Sequence, residues 1–143
     1  QMEMQFLIDG SLQMNNFFKT KHQLIFSDFH ISKSLIFSRM NLDNLSYGII
    51  KNAHLNLFQH FPKPDAIIFL DSTIENIMKN IVKRNRSFEK NFKREYIEKL
   101  IKNYNSWIDK QNTPVLRIDS EGIQFTDNKE LKKRFISLLK FKY

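Results

Sequence analysis

Five consecutive apolar residues, Ala66-Ile67-Ile68-Phe69-Leu70, stand between Phe61-Pro62-Lys63-Pro64-Asp65 and Asp71-Ser72-Thr73. Proline stops a preceding helix, because it supplies no N–H and disfavours helix in the residue before it. A run this short and this continuously apolar has the pattern of a parallel strand covered on both faces. Directly after it, Ile74, Ile77, Met78, Ile81 and Val82 recur at i, i+3, i+4, i+7 and i+8, which is one face of a helix. Ser72, with Glu75 three residues on, matches a capping box, and Asp71 is read as a capping residue beside it. A buried strand that turns at once into an amphipathic helix restricts the chain to folds in which helices cover a mostly parallel sheet.

The rest of the sequence repeats that alternation. Met2–Phe18 reads as a helix through Met4, Leu7, Ile8, Met14, Phe17 and Phe18, interrupted by Gly10. Leu24–Ser27 reads as a short buried strand ending at Asp28, and Phe29–Met40 as a helix. Asp43 or Asn44 is placed to cap a helix whose stripe is Leu45, Ile49, Ile50, Ala53 and Leu57. Ile97, Leu100, Ile101, Tyr104 and Ile108 share one face of a further helix. Pro114 opens the strand Val115-Leu116-Arg117-Ile118, which ends at Asp119, and Asn128–Lys142 is a terminal helix with Leu131, Phe135, Leu138 and Leu139 inward. The expected fold class is α/β: a helix-rich parallel sheet flanked by helices. No Pro/Gly/Ser-rich linker and no internal repeat divides the sequence, so a single domain over 1–143 is expected.

Composition excludes several chemistries. With 143 residues, 14 of them Phe, there is enough apolar surface for a core. There is no run of 18 apolar residues for a membrane helix, and no signal segment opens the sequence. The chain has no Cys, hence no thiolate nucleophile, disulfide or Cys-ligated zinc. A cytoplasmic location is expected. The three glycines, Gly10, Gly48 and Gly122, are far apart and none precedes Lys-Ser or Lys-Thr. The 143 residues therefore contain no G-x-G-x-x-G and no Walker A loop.

The net charge of +8 is unevenly spread. Residues 79–102 hold nine Lys/Arg against three Glu, and residues 129–143 hold six against one. A concentration of this kind suits an anionic partner such as a nucleotide phosphate, a nucleic acid or a membrane surface; it also suits a solvated basic face. Lys83, Arg84 and Arg86 fall at the end of the strongest amphipathic helix. Two guanidiniums two residues apart can clamp neighbouring phosphate oxygens, while cations also favour a helix C-terminus through its dipole. Glu89 follows as an acceptor beside them. Asp28 is expected beyond the carboxyl end of a strand, where ligand crevices of open α/β sheets lie. There it can serve as general base, as magnesium ligand or simply as a helix cap. Lys33, five residues on, can reach the same crevice or lie on the surface. His22, His30, His54 and His60 show no metal-binding spacing, and no metal site is expected. Trp107 is read as a core or dimer contact.

These residues resemble a known family. Ser27-Asp28-Phe29-His30-Ile31-Ser32-Lys33-Ser34-Leu35-Ile36-Phe37-Ser38 resembles the D-F/Y-x-x-x-K-S/T-x-x-F-A/S segment of bacterial deoxynucleoside kinases of the deoxyadenosine/deoxyguanosine type. Phe61 to Leu70 resembles their P-x-P-D strand. Ile81-Val82-Lys83-Arg84-Asn85-Arg86-Ser87-Phe88-Glu89-Lys90-Asn91 resembles their lid, so that the lid falls at about 83–91. Tyr96-Ile97 and Tyr104 through Trp107 resemble the helix after the lid, and Pro114 to Asp119 the last strand. The likeness runs through the whole chain in order.

It implies a P-loop-kinase fold and transfer of the ATP γ-phosphate to the 5′-hydroxyl of a deoxyribonucleoside, in nucleotide salvage, with ATP and Mg2+ as cofactors. The implied roles are Asp28 as catalytic base, Arg84 and Arg86 on phosphates, Glu89 on the sugar 3′-hydroxyl, Phe37 stacked on the base, Glu3 reading the base edge, and Gln124-Phe125 near the ATP adenine. Where relatives carry a first-helix Arg, a lid Arg and a lid Gly, this chain has Gly10, Asn80 and Asn85. The likeness also implies a Walker A strand ahead of the matched part, lying between the strands at 24–27 and 66–70. The chain is therefore expected to be a C-terminal portion, from a truncated or split enzyme, inactive and poorly stable by itself. A homodimer through helices is the expected assembly. The rival readings are a non-catalytic kinase remnant that binds a partner through its helices, and a small basic nucleic-acid-binding protein; the buried-strand pattern favours the kinase core over the latter.

Overall fold

A computed structural model describes residues 2–28, 30–87, 91–121 and 129–140. The order is α1 (Met2–Phe17), α2 (Lys33–Asn41), α3 (Asn44–Phe58), β1 (Ile67–Asp71), α4 (Ile74–Arg84), α5 (Arg94–Ile108), β2 (Val115–Asp119) and α6 (Lys129–Lys140). Helices alternate with parallel strands, as the sequence pattern demands, and the result is a helix-rich α/β arrangement. The chain groups into two compact units, residues up to Pro62 and residues from Lys63.

The first unit is three helices around Leu7, Ile50, Phe58 and Phe61, with Met4, Met14, Phe18, Leu35 and Leu57 packed against them. Asp43 starts α3: its Oδ1 accepts the Leu45 and Ser46 N–H groups, each at 2.9 Å, and its Oδ2 accepts the Ser46 hydroxyl at 2.7 Å. The Ser46 backbone and hydroxyl bonds hold the Asp43 carboxyl below its usual range. The inward stripe of α3 is Ile50, Ala53, His54, Leu57 and Phe58. Leu45 and Ile49, expected inside, are exposed, because each residue turns the helix by about 100° and they lie well round from the Ile50–His54–Phe58 row.

The expected strand at Leu24–Ser27 does not form. Leu24, Ile25 and Phe26 are 63%, 41% and 68% exposed. A strand needs a hydrogen-bonded neighbour, and the sheet of the described residues consists of β1 and β2 alone. Asp28 therefore ends an irregular exposed segment and not a buried strand. The helix expected from Phe29 begins at Lys33, because a turn closed by the Lys33 N–H to the His30 carbonyl at 2.9 Å precedes it.

In the second unit β1 and β2 are parallel, with Ile67 opposite Val115 and Asp71 opposite Asp119. Leu116 and Ile118 are buried, but their register partners Ile68 and Leu70 are 40% and 56% exposed. The expectation of a strand covered on both faces thus fails at β1: its Ile67 and Phe69 face is covered, and its Ile68 and Leu70 face is not. Phe69 packs on Tyr104 of α5, ring centroids 6.1 Å apart. The α4 cap is Thr73, whose hydroxyl accepts the Asn76 N–H at 3.2 Å. The expected capping box fails, since Ser72 accepts the Asn76 side-chain amide and Glu75 turns to Arg94 at 2.7 Å. Among the described residues no helix is long and apolar enough to cross a membrane.

Candidate active site

The basic stretch is positioned by the end of α4. Lys83 and Arg84 occupy its last turn, where cations complement the helix dipole. Asn85 then adopts φ 48°, ψ 35°, and its N–H bonds to the Ile81 and Val82 carbonyls at 3.2 Å each. This left-handed C-terminal residue is the conformation that glycine ordinarily supplies, and Asn is the side chain that tolerates it best after glycine. The turn leaves Arg84 and Arg86 exposed on either side of Asn85. Glu89, Gln124 and Phe125 lie outside the described residues.

The strand ends carry carboxylates that are committed to structure. Asp71 accepts the Ser72 N–H on Oδ1 at 3.1 Å and meets Arg117 Nη1 on Oδ2 at 3.4 Å, while its carbonyl accepts both the N–H and the hydroxyl of Ser120. It braces the strand end and does not cap α4, as had been expected of it. Asp119 accepts the Glu121 N–H at 2.9 Å. The Arg117 guanidinium also reaches Asn105 at 2.7 Å and Asp109 at 3.1 Å, and lies 5.4 Å from the Phe69 ring centroid. An open depression lined by Ile74, Glu98, Ile101, Lys102, Asn105 and Asp109 runs along α5. The Tyr104 hydroxyl of α5 is pushed up to about 12 by burial, with Tyr96 adding to the effect.

The remaining candidates lie in the first unit. Glu3 is half-buried in the first turn of α1. Lys33 opens α2 and is exposed; Phe37, one turn later on the same side, is half-buried. Asp28 is exposed ahead of them. Gly10 faces α3: a Cβ there would meet the Phe58 ring at 3.6 Å. The structure thus gathers Lys33 and Phe37 on one helix and sets Arg84 and Arg86 about one helix end.

Two of the four histidines, far apart in the sequence, come together here. His54 is buried on α3, and His30 is half-buried in the turn before α2. Burial holds both imidazoles below their usual value, and for His30 the neighbouring His54 adds to the effect. The available signal was the place of His54 on the inward stripe of α3. Among the described residues no group of three His, Asp or Glu is placed to hold a metal ion.

The sequence matches the family model described as Deoxynucleoside kinase over residues 1–141. The deoxyguanosine kinase of Bacillus subtilis (strain 168) is 30% identical over 148 residues, an alignment covering 98% of this chain and 72% of that protein. The deoxyadenosine kinase of Lactobacillus acidophilus is 26% identical over 139 residues, covering 87% and 64%. The deoxyadenosine/deoxycytidine kinase of Bacillus subtilis is 32% identical over 94 residues, covering 60% and 43%. The chain thus spans only part of the length of each of these relatives.

Proposed function

The chain belongs to the deoxynucleoside kinase family, and from that premise we propose that it serves transfer of the ATP γ-phosphate to the 5′-hydroxyl of a deoxyribonucleoside in cytoplasmic nucleotide salvage. In this reading the 5′-oxygen forms a bond to the γ-phosphorus as the bond to the β-phosphate bridging oxygen breaks. Asp28 takes the hydroxyl proton, and Arg84 and Arg86 neutralise charge on the moving phosphoryl group. Phe37 stacks on the base, Glu3 reads its edge, Glu89 holds the sugar 3′-hydroxyl, Lys33 lines the crevice, and Gln124 with Phe125 lies near the adenine. Mg2+ enters with ATP as part of the substrate, since magnesium is ordinarily held by one or two carboxylates together with phosphate oxygens. A homodimer through helices is supported by the exposed Leu45, Ile49 and Leu55 of α3.

The observation that carries the reading is the end of α4, where a left-handed Asn85 flanked by exposed arginines stands at the lid position of the family motif. The 143 residues include no glycine-rich phosphate loop, so the test uses the gene product in the form the cell makes, with the 143-residue chain beside it. ATP-dependent formation of a 5′-monophosphate from at least one of the four deoxyribonucleosides is expected of the native gene product, and none is expected of the 143-residue chain alone. No transfer to any of them by the native gene product overturns the reading. The apolar residues exposed on α3 also suit a non-catalytic remnant that docks a partner, and that alternative gains if the native form binds no nucleoside.

A further inference from the structure

The segment bearing Asp28 runs into a turn held by local hydrogen bonds and, as an exception to that pattern, by one from α3. The Ser32 N–H donates to His30 Nδ1 at 3.1 Å, the Lys33 N–H to the His30 carbonyl at 2.9 Å, and the Ser34 hydroxyl to the Ile31 carbonyl at 2.9 Å. The exception spans 23 residues: His54 Nε2 lies 3.3 Å from that same Ile31 carbonyl. A carbonyl oxygen only accepts, so Nε2 carries the proton. The imidazole is itself fixed. It sits buried on the inward stripe of α3, with its ring centroid 4.9 Å from that of Phe58, a core residue.

We propose that His54 is a positioning residue, which pins the Ile31 carbonyl to α3 through its Nε2–H and thereby holds the turn that follows Asp28. The bearing of this on phosphoryl transfer rests on the kinase reading; the pin itself does not.

The surroundings make the pin sensitive to charge. The titratable group beside His54 is His30, whose Nδ1 is occupied as an acceptor, so a proton on His54 would put a charge on a buried ring beside a half-buried one. Of the other charged groups on the elements packed here, Asp9 of α1 is engaged by Gln5 at 2.8 Å and Arg39 of α2 by Asn44 at 2.8 Å, both at the surface. Lys33 and Lys51 are exposed, and Glu3 is half-buried. Burial is what disfavours the imidazolium, and the Ile31 carbonyl offsets that only in part.

The experiment follows amide protection factors at Ser32, Lys33 and Ile36, together with the side-chain titration of each histidine, by NMR on the full 143-residue chain. The variants are His54→Gln, which keeps an N–H donor and cannot titrate, and His54→Leu, which has none. Protection in His54→Gln is expected to stay close to that of the wild type, and in His54→Leu to be about tenfold lower. If His54→Leu does not fold, His54→Phe, which also lacks the donor, takes its place. Wild-type protection in a donorless variant overturns the proposal, and so does an equal loss in His54→Gln. In the native gene product kcat should be kept in His54→Gln and fall in the donorless variant. Absence of all kinase activity sinks the kinase reading and leaves the amide measurements to judge the pin.

Discussion

The Glu121 carboxylate accepts both the backbone N–H and the hydroxyl of Thr73, a residue 48 positions earlier. Thr73 in turn accepts the Asn76 N–H, so one side chain satisfies an orphan donor of the helix and ties it to the end of β2. Thr73→Ala is expected to cost about 1–2 kcal/mol, the upper part of the range for a lost N-terminal cap. Thr73→Ser should keep most of it, and Ser72→Ala should cost less. Urea unfolding of the three variants checks the order. A larger loss at Ser72 than at Thr73 would restore the capping box expected from sequence.

Asn85 is the non-glycine residue with positive φ in this structure, among the described residues. A side chain branched at Cβ meets the following carbonyl there, at about 1–2 kcal/mol. Asn85→Val is expected to lower stability by that amount, while Asn85→Gly should raise it by up to about 1 kcal/mol. The midpoint of thermal unfolding reports both, and equal midpoints would contradict the left-handed turn.

Several elements were legible because their cause is local. The row Ile74, Ile77, Met78 and Ile81, the stop at Pro62 and Pro64, and Asp43 as a cap all follow from neighbours within about one turn and stand where the pattern put them; Val82, expected in the same row, is 75% exposed. Leu24-Ile25-Phe26 was misread because apolar character does not make a strand without a partner, and pairing is not a local property. The same limit hides the exposed face of β1: Ile68 and Leu70 look like Leu116 and Ile118 in sequence and differ only in what covers them. Within the candidate site, the cations at the end of α4 were visible as a charge cluster. The meeting of His30 with His54 was not, since 23 residues and a helix packing stand between His54 and the Ile31 carbonyl.

Arg117 offers a contrast with Arg94. Its guanidinium is shared by Asp71, Asn105 and Asp109 and lies over Phe69, with the side chain 37% exposed. Arg94 pairs with Glu75 and Glu98 at the open surface, where ion pairs contribute little. Arg117→Leu is expected to lower stability by about 1 kcal/mol, because three partners lose a hydrogen bond to one charged group while Asp71 and Asp109, 42% and 71% exposed, regain water. Arg94→Leu should do much less. Guanidinium unfolding of both variants, at low and at high salt, checks the ranking; the Arg94 effect should also shrink with salt.

Acid should weaken the chain through its buried imidazoles. His30 and His54 are held below their ordinary value of 6.5 in the folded state. The unfolded chain therefore takes up protons first as pH falls, and stability drops. The contribution is fully present above pH 6.5 and is lost as pH descends from there through the folded values. The urea midpoint is expected to decline between pH 7.5 and 5, and to decline less in His54→Gln. A midpoint that rises on acidification would reverse the sign of the argument.

Arg84 and Arg86 separate a catalytic from a structural reading of the basic stretch. If these cations only complement the dipole of α4, their removal costs about 0.3–1 kcal/mol of stability, and it should matter at Arg84, inside the last turn, more than at Arg86 beyond it. If they close on phosphates, stability should hardly change while phosphoryl transfer collapses. Loss of one preorganised group that stabilises developing charge typically costs about 10²–10³-fold in rate, and here it should be similar at both positions, since Asn85 exposes the two alike. Initial rates of 5′-monophosphate formation by the native gene product, taken with unfolding midpoints of the same variants, divide the two cases. Wild-type turnover in Arg84→Ala/Arg86→Ala would remove these residues from the lid.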